Sequence, residues 1–320
     1  MKDEIAVPRP VEPALVPARR RRRNPARRQV APYLLVLPAL AVLAAVLGYP
    51  LYRLVTLSFQ EYGLPELIAH KGRWIGLENY ETILGDSLFW TVLARTVAFT
   101  AVTVGLTMLF GTLIALLLAA LGKFMRLLIT TGLVLVWAMP PVVSVNIWSW
   151  MVDYEFGVLN WTLAQLGLDS YAHHDWFLNP IEGFGIITAI VVWGAIPFVA
   201  ITIFAGLTQV SRETIEAASI DGAGGFAVFR DITLPILKPI FVILASLSVI
   251  WNFQVFSQIW ILRNARPEDH YYLLSIYSFV ESFNTSRYGL GSAIALVMVL
   301  AMLGVTFIYI RQMVRIGEID

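Results

Sequence analysis

The chain has 320 residues, of which 58% are hydrophobic and 14% charged, with a formal net charge of +1 and no cysteine. This composition excludes an ordinary soluble domain, and the missing cysteines exclude disulfides and thiolate metal sites. The near-zero net charge hides a basic N-terminal run that is offset by acids elsewhere, so it does not mark a nucleic-acid binder.

Residues 1–32 are rich in Pro and carry nine Lys and Arg, including Arg19 to Arg23, Arg27 and Arg28. They read as a disordered, topogenic tail rather than an arm for RNA or lipid. A bilayer core of roughly 30 Å needs about 20 mostly apolar helical residues. Six segments qualify: Tyr33–Leu57, Phe89–Leu121, Leu127–Val152, Phe184–Leu207, Ile240–Leu262 and Tyr288–Ile310. None shows the alternation of a membrane strand, so the expected fold is all-α and integral to a membrane, with six spans over residues 33–310 and a short C-terminus at 311–320. The first apolar run is too long for a signal-peptide h-region and no A-x-A-like site follows, so it is expected to be retained.

Sixteen Lys and Arg fall on the side of the two termini and seven on the other, which predicts that both termini are cytoplasmic. Pro140, Pro141 and Pro197 predict kinks in the third and fourth spans. Arg95, close to the outer end of the second span, is expected to snorkel, and the adjacent His173 and His174 to be solvated in an outer loop.

Residues 209–239 form a glycine-punctuated cytoplasmic insert between the fourth and fifth spans. Ser211 is a candidate N-cap, Glu213 favours a first turn, and Glu216, Ala217 and Ala218 suit a helix that Gly222 would end in a left-handed conformation. A second short helix would carry Phe226, Phe229 and Ile232 on one face, and Pro235 and Pro239 would stop it before the fifth span. An aromatic knob with no pocket in its own chain implies a partner.

Glu216, Ala217, Ala218, three residues, Gly222, nine residues, Ile232, one residue, Leu234 and Pro235 resemble the EAA loop of permease subunits of binding-protein-dependent ABC importers. The WIGLENY stretch at Trp74–Tyr80 and the GLGSA stretch at Gly289–Ala293 are similar to the carbohydrate branch, the maltose and chitobiose permeases. The resemblance implies a type I ABC importer permease fold in a bacterial plasma membrane. It also implies a coupling helix seated in a cytoplasmic ATPase, a second permease subunit, two ATPase domains, an extracytoplasmic sugar-binding protein and a carbohydrate substrate. Two features depart from that pattern. The loop Ser58–Ser87 is too short for the extra domain of the maltose-type large subunit, and RNARPED at Arg263–Asp269 replaces a TGGGP-like stretch.

No phosphate-binding G-x-x-x-x-G-K-[ST] loop is present, so ATP and Mg are expected on a partner; no catalytic constellation or metal cluster stands out, and the chain reads as a non-enzyme transport subunit. In the fifth span Ser248, Trp251, Gln254 and Gln258 recur at i, i+3, i+6 and i+10. At about 100° per residue that spacing makes one polar, aromatic face suited to a sugar or, equally, to helix packing. In the third span Trp137, Ser144 and Trp148 share one stripe, and Asn146 and Trp150 another. Asn146 and Trp148 join the candidate path. The absence of intramembrane acids favours a neutral sugar, though another polar solute stays open, and it argues against an ion-gradient-driven secondary transporter.

Overall fold

The computed structural model describes residues 25–317. The expectations for residues 1–24 of the tail and for residues 318–320 lie outside them. The first helix, α1, runs Pro25–Ser58. It therefore begins within the stretch assigned to the tail, because Pro suits a first helical turn and Ala, Arg and Gln favour the helix. The chain divides into two units after Tyr52, and among the described residues the first consists of α1 up to that residue.

The second unit takes up the end of α1 and continues into a small antiparallel ribbon absent from the sequence reading, β1 (Gln60–Glu61) and β2 (Arg73–Trp74), with Gln60 opposite Trp74. Helix α2 (Leu64–Ala69) lies in its loop. Then come α3 (Glu78–Gly85), α4 (Ser87–Ala120), α5 (Lys123–Trp137), α6 (Pro141–Met151), α7 (Val158–Gln165) and α8 (Pro180–Leu207). The remainder is α9 (Arg212–Ile220), α10 (Gly225–Val228), α11 (Leu234–Phe253), α12 (Ser257–Leu262), α13 (Leu274–Phe279) and α14 (Tyr288–Gly317). Five helical runs are long and apolar enough to cross a membrane, and the bent pair α5 and α6 makes a sixth.

Helices α4 and α8 pack along each other at the centre of the second unit. Both have identifiable starts. The Asp86 carboxylate accepts from the Leu88 amide at 2.8 Å, and the Asn179 side chain accepts from the Ile181 amide at 3.0 Å ahead of Pro180. Phe89, Val92 and Phe99 of α4 are buried with Ile187 and Ile190 of α8, together with Leu273, Leu274 and Ile276. A second cluster joins Ala115, Val199, Ile203, Leu237 and Leu244 toward the opposite end.

The loops sort to two ends as the six-span reading requires. At one end, Tyr277 donates to the Asp86 carboxylate at 3.0 Å, and the Tyr271 hydroxyl donates to the Phe177 carbonyl at 2.9 Å. Gly183 admits that tyrosine, since a Cβ there would lie 2.2 Å from its hydroxyl. The Asn79 amide donates to the carbonyls of Ser58 and Gln60 at 3.0 Å, and the Gly289 amide donates to Tyr62, so the WIGLENY and GLGSA stretches meet around the ribbon. At the other end, Arg126 donates to the Leu118 and Leu121 carbonyls closing α4, with its guanidinium 5.2 Å over the Phe204 ring.

Three expectations change. Pro140 and Pro141 do more than kink the third span: α5 and α6 meet at 100°. Pro235 and Pro239 do not stop the second short helix, which passes through a π-turn at Phe229–Thr233 directly into α11. Pro235 sits in the first turn of α11, where its missing amide is harmless, and the wider π-turn ahead of it eases its ring past the preceding carbonyls. Pro239 is carried inside α11. The fifth span is not one continuous helix either, for it breaks at Gln254–Phe256 between α11 and α12.

Residues at the Asp86 end of α4 differ as well. Arg95 is tied down rather than snorkelling: its guanidinium donates to the carbonyls of Asp269 and Tyr272 at 2.9 and 3.0 Å. His173 is exposed, whereas His174 is half-buried against Tyr171 and Trp176, with its Nε2 2.8 Å from the Glu182 carboxylate.

Candidate functional site

The bend at Pro140–Pro141 and the break at Gln254–Phe256 open a cavity of about 280 Å³ midway along the second unit. Its walls come from α5 (Trp137), α6 (Ser144), α8 (Trp193, Phe198), α11 (Trp251, Asn252) and α12 (Gln258). Three rings form a connected wall: Phe198 stacks on Trp137 at 6.2 Å and meets Trp251 edge-on at 5.3 Å. Flat aromatic faces beside amides can take up the apolar face and the hydroxyl rim of a sugar ring together. No ionisable side chain lines this cavity among the described residues.

Of the path residues read from sequence, Trp251 and Gln258 line the cavity. The other four sit elsewhere. Ser248 is 3% exposed, and its carbonyl accepts from the Asn252 amide at 2.8 Å. Gln254 ends α11 exposed, donating to the Ile250 carbonyl at 3.2 Å. Asn146 is exposed and donates to Val142 at 2.7 Å, while Trp148 packs edge-on against Trp193 at 6.1 Å. A stripe computed on an unbroken helix cannot survive the break, and this separates Gln254 from Gln258. Trp193, Phe198 and Asn252 were missed; Trp193 and Phe198 flank Pro197, the signal that could have flagged them.

The atypical stretch after α12 is a clamp. The Arg263 guanidinium lies 4.8 Å over the Tyr271 ring and 5.5 Å over Phe177, and it donates to Glu268 at 3.0 Å. That hydrogen bond holds the Glu268 carboxyl below its usual range.

The glycine-punctuated segment lies at the opposite end. Ser211 takes the extended N-cap conformation before α9, without a side-chain cap bond. Gly222 adopts φ +84°, the Gly222 amide donates to Ser219 at 3.1 Å and the Ala223 amide to Ala218 at 2.9 Å. This pair of bonds is the glycine-closed helix ending that the left-handed residue permits. Glu216 and Ala217 are exposed, and Ala218, Ile232 and Leu234 are half-buried, while Pro235 is exposed. Phe226 is 75% exposed and Ile220 86% exposed on either side of the turn, with the Arg230 guanidinium 5.9 Å over the Phe226 ring. Phe229 is half-buried, so the projecting ring is Phe226.

Comparison with known proteins places these features in company. Residues 108–316 match the family described as binding-protein-dependent transport system inner membrane component. The diacetylchitobiose uptake system permease protein DasB of Streptomyces coelicolor is 41% identical over 289 residues, covering 90% of this chain and 88% of its own length. The sulfoquinovosyl glycerol transport system permease protein SmoG of Agrobacterium fabrum is 34% identical, covering 87% and 88%. A chain in the crystal structure of a bacterial ABC transporter involved in the import of the acidic polysaccharide alginate superposes with a TM-score of 0.75 at 19% identity, covering 91% of this chain and 98% of that one.

Proposed function

The chain belongs to the family of inner membrane components of binding-protein-dependent transport systems, and on that premise we propose that it forms half of a translocation path for a neutral sugar. It is a multi-pass protein of the bacterial inner membrane and a transport subunit rather than an enzyme; it works with a second permease, ATPase subunits and an extracytoplasmic binding protein. ATP and Mg bind on the ATPase partner in this proposal.

One observation carries the choice of substrate class: the cavity offers the rings of Trp137, Phe198 and Trp251 and the amides of Asn252 and Gln258, with no charged group among the described lining residues. A charged sugar would lose hydration there without gaining a counter-ion, whereas a neutral one gains stacking and hydrogen bonds. Diacetylchitobiose, the sugar named for the relative at 41% identity, is the first ligand to try. The end bearing α9 and α10 faces the cytoplasm in this reading, in keeping with the sixteen-to-seven split of basic residues. Phe226 and Ile220 then dock into the ATPase, and Glu216, Ala217, Ala218, Gly222, Phe229, Ile232, Leu234 and Pro235 shape the segment that presents them.

The test is uptake by the reconstituted complex across a panel of neutral disaccharides and uronic-acid sugars of equal size. Uptake restricted to neutral sugars is expected; preference for a uronate would overturn the substrate class.

A further inference from the structure

A second cavity, of about 570 Å³, lies outside the translocation path, as a groove between α4 and α11. Its walls are apolar, formed by Met108, Leu234, Phe241, Val242 and Ala245, and Lys238 supplies the one charged group of the lining among the described residues. From Leu234 to Ala245 the groove follows twelve residues of α11, whose eleven rises of 1.5 Å make about 16 Å, roughly half the thickness of a bilayer core. It therefore has the depth of one leaflet, and Lys238 stands near the end where the chain leaves the membrane for α9 and α10.

Lys238 is exposed and forms no ion pair among the described residues. It is also the only ionisable side chain between Asp231 and Arg263. An ammonium group at the membrane boundary attracts a counter-charge, and the apolar wall that runs inward from it takes up hydrocarbon. We propose that this groove binds an anionic phospholipid, its phosphate on Lys238 and an acyl chain along Phe241, Val242 and Ala245. A free phosphate would leave the apolar wall uncovered and an apolar helix of a neighbouring subunit would leave the lysine unpaired, whereas the lipid satisfies both. Because α11 continues through the π-turn from α10, the headgroup would lie at the root of the segment that carries Phe226.

The experiment uses the complete transporter, purified and exchanged into nanodiscs of phosphatidylglycerol and phosphatidylcholine, with retained lipid counted by native mass spectrometry. One basic contact contributes about fivefold in preference, so Lys238→Ala should lower the preference of the complex for phosphatidylglycerol over phosphatidylcholine by about that factor relative to the wild type. Lys238→Arg should keep the wild-type preference, with subunit composition read from the same spectra to confirm intact assembly. Inorganic phosphate should leave the retained lipid in place. Equal lipid retention by wild type and Lys238→Ala would overturn the proposal, as would displacement by phosphate. So would a cross-link from Val242→Cys to a helix of the second permease, which would show protein in the groove.

Discussion

Replacing Gly222 by Val separates backbone conformation from packing unusually well. The residue sits at φ +84°, and a Cβ built there would meet nothing within 4 Å, so a side chain clashes with no neighbour. What remains is the left-handed conformation itself, which costs an L-residue about 1–2 kcal/mol and a β-branched one up to about 3. At roughly 1.4 kcal/mol per tenfold, the equilibrium between closed and open turn should shift toward open by about five- to a hundredfold. The Ala223-to-Ala218 and Gly222-to-Ser219 bonds would open with it, and Phe226 and Ile220 would lose their fixed placement. Asn, which tolerates φ > 0, is the control. The assay is titration of the ATPase subunit onto permease held in nanodiscs, followed by hydrolysis stimulated by loaded binding protein. Gly222→Val should insert normally, since residue 222 lies between two spans, yet bind the ATPase at least about tenfold more weakly, with Gly222→Asn near wild type. Val-bearing permease that binds and stimulates like the wild type would refute the role assigned to this turn.

Trp251→Ala, which removes a ring face worth about 1 kcal/mol, and Gln258→Leu, which removes a hydrogen bond worth about as much, should each lower sugar uptake several-fold with the complex intact; Gln254→Leu, outside the cavity, should change uptake little by the same assay. Gly183→Ala should destabilise the outer end by about 1–3 kcal/mol through overpacking against Tyr271, read as a lower thermal midpoint in detergent. Single cysteines placed in this cysteine-free chain should be labelled from outside at position 173 and only from inside at 222; external labelling at 222 would invert the topology.

The six spans were legible because about 20 mostly apolar residues leave a chain few alternatives to a helix in lipid. Gly222 was legible for a local reason: a glycine after a helix-forming run ends it in the same way in any context. The interruptions were not. The proline pair at 140–141 foretold a kink, but a 100° bend depends on what α6 packs against after the turn. The break at Gln254–Phe256 has no proline or glycine to announce it, and it sent Gln254 and Gln258 to different places. Trp193 and Phe198 carry no mark in the sequence beyond lying near Pro197 in an apolar span, since their place in the cavity arises only when α8 meets α5 and α11. Arg263 and Glu268 looked like a family departure of unknown consequence, and their role as a clamp required Tyr271, eight residues on from Arg263, to come under the guanidinium.

The most direct measurement is uptake of a radiolabelled neutral disaccharide into proteoliposomes bearing the complete complex, with ATP supplied to the ATPase side and every ion gradient collapsed by ionophores. Accumulation that requires ATP and loaded binding protein, and that survives the ionophores, is the predicted result. Accumulation that continues without ATP and stops when the gradients are collapsed would contradict the account.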